Sequence, residues 1–188
     1  MPPGGRQVVR AFSGAQLMSW DRFVIVDCAV DPELHPTLLH HAQQDGLRHR
    51  SLFDGQPEAQ HAAAAPWLLE LPLNHPAPHL HNWLVHLNQS RRACLSWLAA
   101  DTSFDRLFGH LQAHLDVVLP HKSLALMRYF DPRAWLRYQS ILSVDQKLAL
   151  MGPILEWQVT LDSQPWTATR ADLERLKQGT GRHDQTHA

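Results

Sequence analysis

The sequence predicts an α/β fold, with α+β as the alternative. It calls for a central, mostly mixed sheet of about five strands flanked by helices, then a short C-terminal helix and a disordered tail. Three observations carry this. Apolar, β-branched runs alternate along the chain with amphipathic helical stretches. Apolar residues make up 44% of the 188, enough for a core on a sheet. The stretch Ser123–Leu161, SLALMRYFDPRAWLRYQSILSVDQKLALMGPILEWQVTL, reads as strand, two short helices, strand.

Residues 1–12, with Pro2, Pro3, Gly4 and Gly5, form a flexible N-terminus. Residues 13–161 form the domain and 162–188 a C-terminal extension. Ser13–Trp20 has room for one or two helical turns. Phe23–Asp27, FVIVD, is a strand bounded by charges. Asp31-Pro32 resembles a helix start, but Pro36 would remove a donor from a helix already under way. The regular helix therefore begins nearer Pro36 and runs to Gly46. SLFDG is a turn, and His61–Ala65 a short helix ended by Pro66. Trp67–Leu71 is a strand closed by Pro72; Pro72, Pro76 and Pro78 mark a loop. Leu80, Trp83, Leu84 and Leu87 give the i, i+3, i+4, i+7 spacing of an amphipathic helix. Cys94–Leu98 is a short strand. Thr102–Leu115 is the cleanest helix, with Thr102 and Asp105 in a capping-box pattern and Phe104, Leu107, Phe108, Leu111 and Leu115 on one stripe.

Ser123–Phe130 is apolar on both alternating faces, which predicts a central strand covered on both sides. Arg128 interrupts it and needs a partner if buried. Asp131 caps the next helix and Pro132 fits its first position. Ser143 opens another, with Gln146 as its capping-box partner, and Gly152-Pro153 stops it. Leu155, Trp157, Val159 and Leu161 alternate with polar residues in a strand with one buried face. Beyond Leu161 the chain loosens. Trp166 is isolated among polar residues, Thr169 and Asp172 cap a short helix through Leu173 and Leu176, and the final GTGRHDQTHA is disordered.

A formal net charge of −1 predicts no general attraction to nucleic acid or an anionic membrane. The N-terminal segment lacks the apolar core of a signal peptide, and no apolar run nears the roughly 20 residues of a membrane span. The expected location is the cytoplasm. Cys28 and Cys94 are read as two buried thiols in a reducing compartment, with a disulfide as the alternative.

Fourteen histidines make metal binding a hypothesis. His110 and His114, four apart on one helix, can reach one metal, but the glutamate of a metalloprotease helix is missing between them. His75, His79 and His81 form a looser cluster, and His79, Asn82 and His86 share a polar helix face, read as solvated. Ser96 and Cys94 have no nucleophile motif around them and read as surface hydroxyl and buried thiol. Arg48-His49-Arg50 and Arg91-Arg92 are ordinary solvated charge. Arg128, Asp131 and Arg133 put two guanidinium groups and one carboxylate at a strand–helix junction. They either brace the helix start or anchor an acidic group of a partner. Trp166 is read first as core or loop packing, with a place at an interface as the alternative.

The stretch MRYFDPRAWLRYQSILSVDQKLALMGPILEW resembles the arginine–aromatic–aromatic–aspartate–proline–arginine signature of the "domain of unknown function 4123" family. FVIVDCAVDPEL, RSLFDG, APWLLELP and CLSWLAADTSFDRLFGHLQAHLDV fall in the family's order, so the likeness runs from about Phe23 to Val159. Cys28 departs from the small residue common there. The resemblance implies a bacterial type VI secretion adaptor, or effector chaperone. Such a protein binds a toxic effector in the cytoplasm and helps load it onto the spike protein. It implies no catalysis, no cofactor and no small-molecule substrate. It marks Arg128, Tyr129, Asp131, Pro132 and Arg133 as motif positions; the motif and the isolated Trp166 together suggest Trp157 and Trp166 near a contact surface. Many relatives continue into a longer, mainly helical C-terminal lobe. The alternatives are a metal-dependent hydrolase using the clustered histidines and a non-catalytic oligomeric scaffold.

Overall fold

The computed structural model describes residues 21–72, 77–90, 93–119 and 121–183. In chain order the elements are β1 (Asp21–Asp27), α1 (Leu34–Gln44), β2 (His49–Ser51), β3 (Pro66–Leu71), α2 (Pro78–Gln89), β4 (Leu95–Ala100), α3 (Phe104–Ala113), β5 (Asp116–Val118), β6 (Leu124–Leu126), α4 (Pro132–Ile141), α5 (Val144–Met151), β7 (Ile154–Leu161), β8 (Gln164–Thr169) and α6 (Arg170–His183). Short 3-10 turns occupy Cys28–Val30 and Pro57–Ala64. Six strands form one sheet in the order β2-β3-β1-β4-β7-β8, and every neighbouring pair is antiparallel. The fold class is the expected one. The sheet has one strand more than anticipated and is antiparallel where a mixed sheet was expected, which selects the α+β alternative. No helix among the described residues is long and apolar enough to cross a membrane.

The strand covered on both faces is β1, not Ser123–Phe130. Phe23, Val24, Ile25 and Val26 are all fully buried. Phe23 and Ile25 join Leu98, Trp157 and Val159 in one core, beneath Leu107 and Leu111 of α3, Trp135 of α4, Leu150 of α5 and Leu173 of α6. Val24 and Val26 join Leu69 and Leu95 in a second core, beneath Leu34 and Leu38 of α1 and Leu80 and Leu84 of α2. Each fully buried large side chain contributes about 1.5–3 kcal/mol by leaving water.

The helix starts follow local chemistry. Pro36 sits in the first turn of α1, where its missing N–H has no partner to lose. Asp45 reaches across from the end of α1 and its Oδ2 accepts from the Leu80 N–H at 2.8 Å, helping to fix the start of α2. Asp131 and the Ser143–Gln146 capping box open α4 and α5 as expected. The capping box expected at Thr102 does not form. Ser103 is the N-cap of α3, and Asp105 instead accepts from Arg48 at 2.8 Å. That arginine lies on the strand side of α3, with its guanidinium 4.6 Å from the Phe104 ring centre, and Arg50 lies 4.2 Å from that of Phe108. These cations cover the outer aromatic stripe of α3, a use of charge beyond plain solvation.

Gly152 ends α5 with φ +52°, and a Cβ there would run into the His110 ring. Ser123–Phe130 contains only the three-residue β6, paired with β5 in a separate two-stranded ribbon. Leu124 and Val118 on that ribbon are 67% and 72% exposed. Beyond β7 the chain turns back through Asp162 and Ser163, both at positive φ, into β8, a strand the sequence did not reveal. Thr169 Oγ1 accepts from the Asp172 N–H at 3.1 Å and starts α6. This helix continues past Leu176 to His183, into the segment expected to be disordered. The expectations for residues 1–20, His75 and Arg91-Arg92 lie outside the described residues.

Candidate functional site

The strand–helix junction is built around two acids. Asp27 ends β1 with its side chain fully buried, and its Oδ1 accepts from the Ala29 N–H at 3.1 Å. Asp131 is nearly buried and caps α4, accepting from the Arg133 N–H at 2.9 Å. Arg133 turns back on it, with Nε and Nη2 each donating at 3.0 Å in a two-pronged contact. Arg128 bridges the two acids, its Nη2 3.4 Å from an oxygen of each.

The acids titrate in opposite directions. Burial pushes the Asp27 carboxyl up, only partly offset by the Ala29 N–H and the Arg128 charge. Burial would also raise Asp131, but the hydrogen bonds and charge of Arg133, with Arg128, outweigh it and hold the carboxyl below its ordinary value.

Tyr129 and Phe130 anchor the junction in the core. The Tyr129 hydroxyl donates to the Leu111 carbonyl at 2.7 Å, and burial raises its pKa strongly. Its ring meets Trp157 edge-on at 5.7 Å between centres, and Trp157 packs on Trp135 at 6.2 Å. With Trp135 turned inward, α4 presents Ala134, Arg137, Tyr138 and Ile141 on another face, again at i, i+3, i+4, i+7. This stripe, with Leu126, Arg128, Asp131 and Arg133, lines an open groove of ≈ 580 Å³. Ile141 is 69% exposed.

A family model described as Domain of unknown function (DUF4123) matches residues 22–149. The chain belongs to the DUF4123 family. No curated protein and no solved structure matches it at a significant level. The span shared with DUF4123 runs from β1 into α5 and includes both acids, their arginines and the whole groove lining.

Within this DUF4123 fold, the sequence candidates divide. Arg128, Asp131 and Arg133 come together at the groove. Tyr129 and Pro132 are motif positions that the fold uses internally, both buried. Trp157, expected near a contact surface, is fully buried against Tyr129 and Trp135. Trp166 pairs across β7–β8 with Val159 and is half-buried, packed on the larger core, so its place in the sheet now has an account. Sequence reasoning missed Asp27, Leu126, Arg137, Tyr138 and Ile141. The four-residue stripe on α4 was a readable signal; Asp27 was visible only as an acid ending an apolar strand.

The histidine candidates are used locally. A His110 Nε2–H donates to the Leu150 carbonyl at 2.8 Å, and the His114 Nδ1–H to the His110 carbonyl at 2.9 Å. His79, His81, Asn82 and His86 are exposed. Among the described residues, no group of three or more His, Cys, Asp or Glu is placed to hold a metal ion. Ser96 is not a surface hydroxyl: it is fully buried on β4. Cys28 and Cys94 are both buried, and burial, with the Asp27 charge and Cys94, pushes the Cys28 thiol up to about 12. A thiol so shifted is a poor nucleophile at neutral pH.

Proposed function

We propose that the chain is a non-catalytic adaptor of type VI secretion. It would bind a toxic effector in the cytoplasm and help load it onto the spike protein. The observation that carries this reading is the open groove at the signature junction. It joins three guanidinium groups to the exposed Ile141 and the half-buried Ala134 and Tyr138 on a braced helix. A surface of that make-up suits a polypeptide, which can supply both apolar contact and a hydrogen-bonded acid. Membership of DUF4123 supports it through the resemblance described above, since the signature and the groove occupy one segment.

Co-expression with the products of the neighbouring genes, as candidate effector and spike, tests the proposal. Size-exclusion chromatography with light scattering is expected to show a stable complex with the effector. Separate elution from both candidates would overturn the adaptor reading.

A further inference from the structure

We propose that the groove on α4 binds an extended segment of a partner protein carrying an acid-x-apolar motif. Arg137 would select the acid and Ile141 the apolar side chain two residues on. The proposal rests on the adaptor reading for the partner's identity, but its chemistry stands on the groove alone.

Arg133 is committed to Asp131 through two donors, and Arg128 to Asp131 and Asp27. Arg137 is exposed, lines the same groove, and has no ion pair among the described residues. The groove thus holds three guanidinium groups and one carboxylate, so an incoming acid finds an unspent cation. Ile141 lies one turn further along the helix. Four residues of helix rise about 6 Å, and same-face side chains of an extended chain are about 6.6 Å apart. A strand-like segment can therefore place position n on Arg137 and position n+2 on Ile141.

Val118, Leu124 and Leu126 share one face of the β5–β6 ribbon by register, and the exposed Asp116 lies opposite Leu126. That carboxylate disfavours an acid at the ribbon, where the exposed Leu124 and Val118 add apolar surface. Nucleic acid fits less well: the chain's net charge is −1, and phosphates would leave the exposed apolar side chains unused.

The test is a random-peptide phage selection on the full chain, counter-selected on an Arg137→Glu/Ile141→Asp variant. Enriched peptides are then measured by fluorescence anisotropy. The expected result is an acid-x-apolar consensus. Binding should weaken about tenfold or more with Arg137→Glu, less with Arg137→Gln, and fall as salt is raised. Replacing the acid of the peptide by its amide should cost as much as Arg137→Gln. No enrichment, a consensus without an acid, or affinities indifferent to both Arg137 variants would overturn the proposal. Peptides that follow the rule beside a failed effector co-elution would keep the groove and retire the adaptor reading. A complex that tolerates Arg137→Glu and Ile141→Asp would do the reverse.

Discussion

Asp131 does two jobs with one carboxylate: it caps α4 and it holds Arg133 and Arg128. Because its pKa is lowered in the fold, its charged interactions stabilise the native state above the ordinary value near 3.8. That contribution is lost as pH falls through the lower folded value. Asp27 runs the other way. Its raised pKa means that the folded chain binds its proton more readily, so acid relieves its burial cost. Asp131→Asn keeps a competent N-cap and removes the charge. It should cost about 1 kcal/mol at neutral pH, read by urea unfolding, and the gap from the parent should close as pH falls below the ordinary carboxylate value of 3.8. A gap independent of pH would assign the effect to cap geometry. The cap was legible because Asp-Pro before a helical stripe is local chemistry. The Arg128–Asp27 contact was not, because 101 residues separate the partners and no local pattern links them.

At the scale of elements, the sequence was clearest where one short rule decides. α2, α3, α5 and β7 follow their apolar periods, and α5 also its capping box. It misled where a period has two physical causes. Ser123–Phe130 is apolar on both alternating faces, but in its second half Met127, Tyr129 and Phe130 turn inward from a loop, while its first half stands on an exposed ribbon. β2 was hidden because Arg48 and Arg50, the charges around it, serve as covers for aromatic rings. β8 was hidden by its turn. Two-residue hairpin loops with both central residues at positive φ favour Asn-Gly, and here the pair is Asp162-Ser163. Ser163 holds φ +63° without glycine's freedom. Ser163→Gly should therefore stabilise the chain by about 0.5–1 kcal/mol, raising the thermal midpoint by about 1–4 °C. An unchanged or lower midpoint would mean that the lost side chain or added unfolded-state entropy outweighs the relieved backbone.

Across the whole molecule, the signature stretch couples the two-sided core to one surface, and its arginines divide between those duties. The fold was legible as layers because strand and helix periods alternate. The groove was not, because its walls come from β6, the junction and α4 together. Arg128 sits on the structural side of the division: among the described residues, removing it leaves the fully buried Asp27 carboxylate with the Ala29 N–H as its one direct hydrogen-bond donor. Arg128→Ala should cost about 1–3 kcal/mol, less than a fully buried pair because Arg128 is half exposed. The thermal midpoint should fall by roughly 2–4 °C for each kcal/mol at this chain length. Arg137→Gln and Ile141→Asp change exposed positions, so the midpoint should hold within about 1–2 °C. Partner affinity should respond in the opposite sense, nearly unchanged per folded molecule for Arg128→Ala and clearly weakened for the two groove variants. Measuring both quantities on all three variants separates brace from surface. Equal losses of stability and affinity in every variant would mean that the junction and the groove act as one unit, with binding following from the integrity of the α4 start.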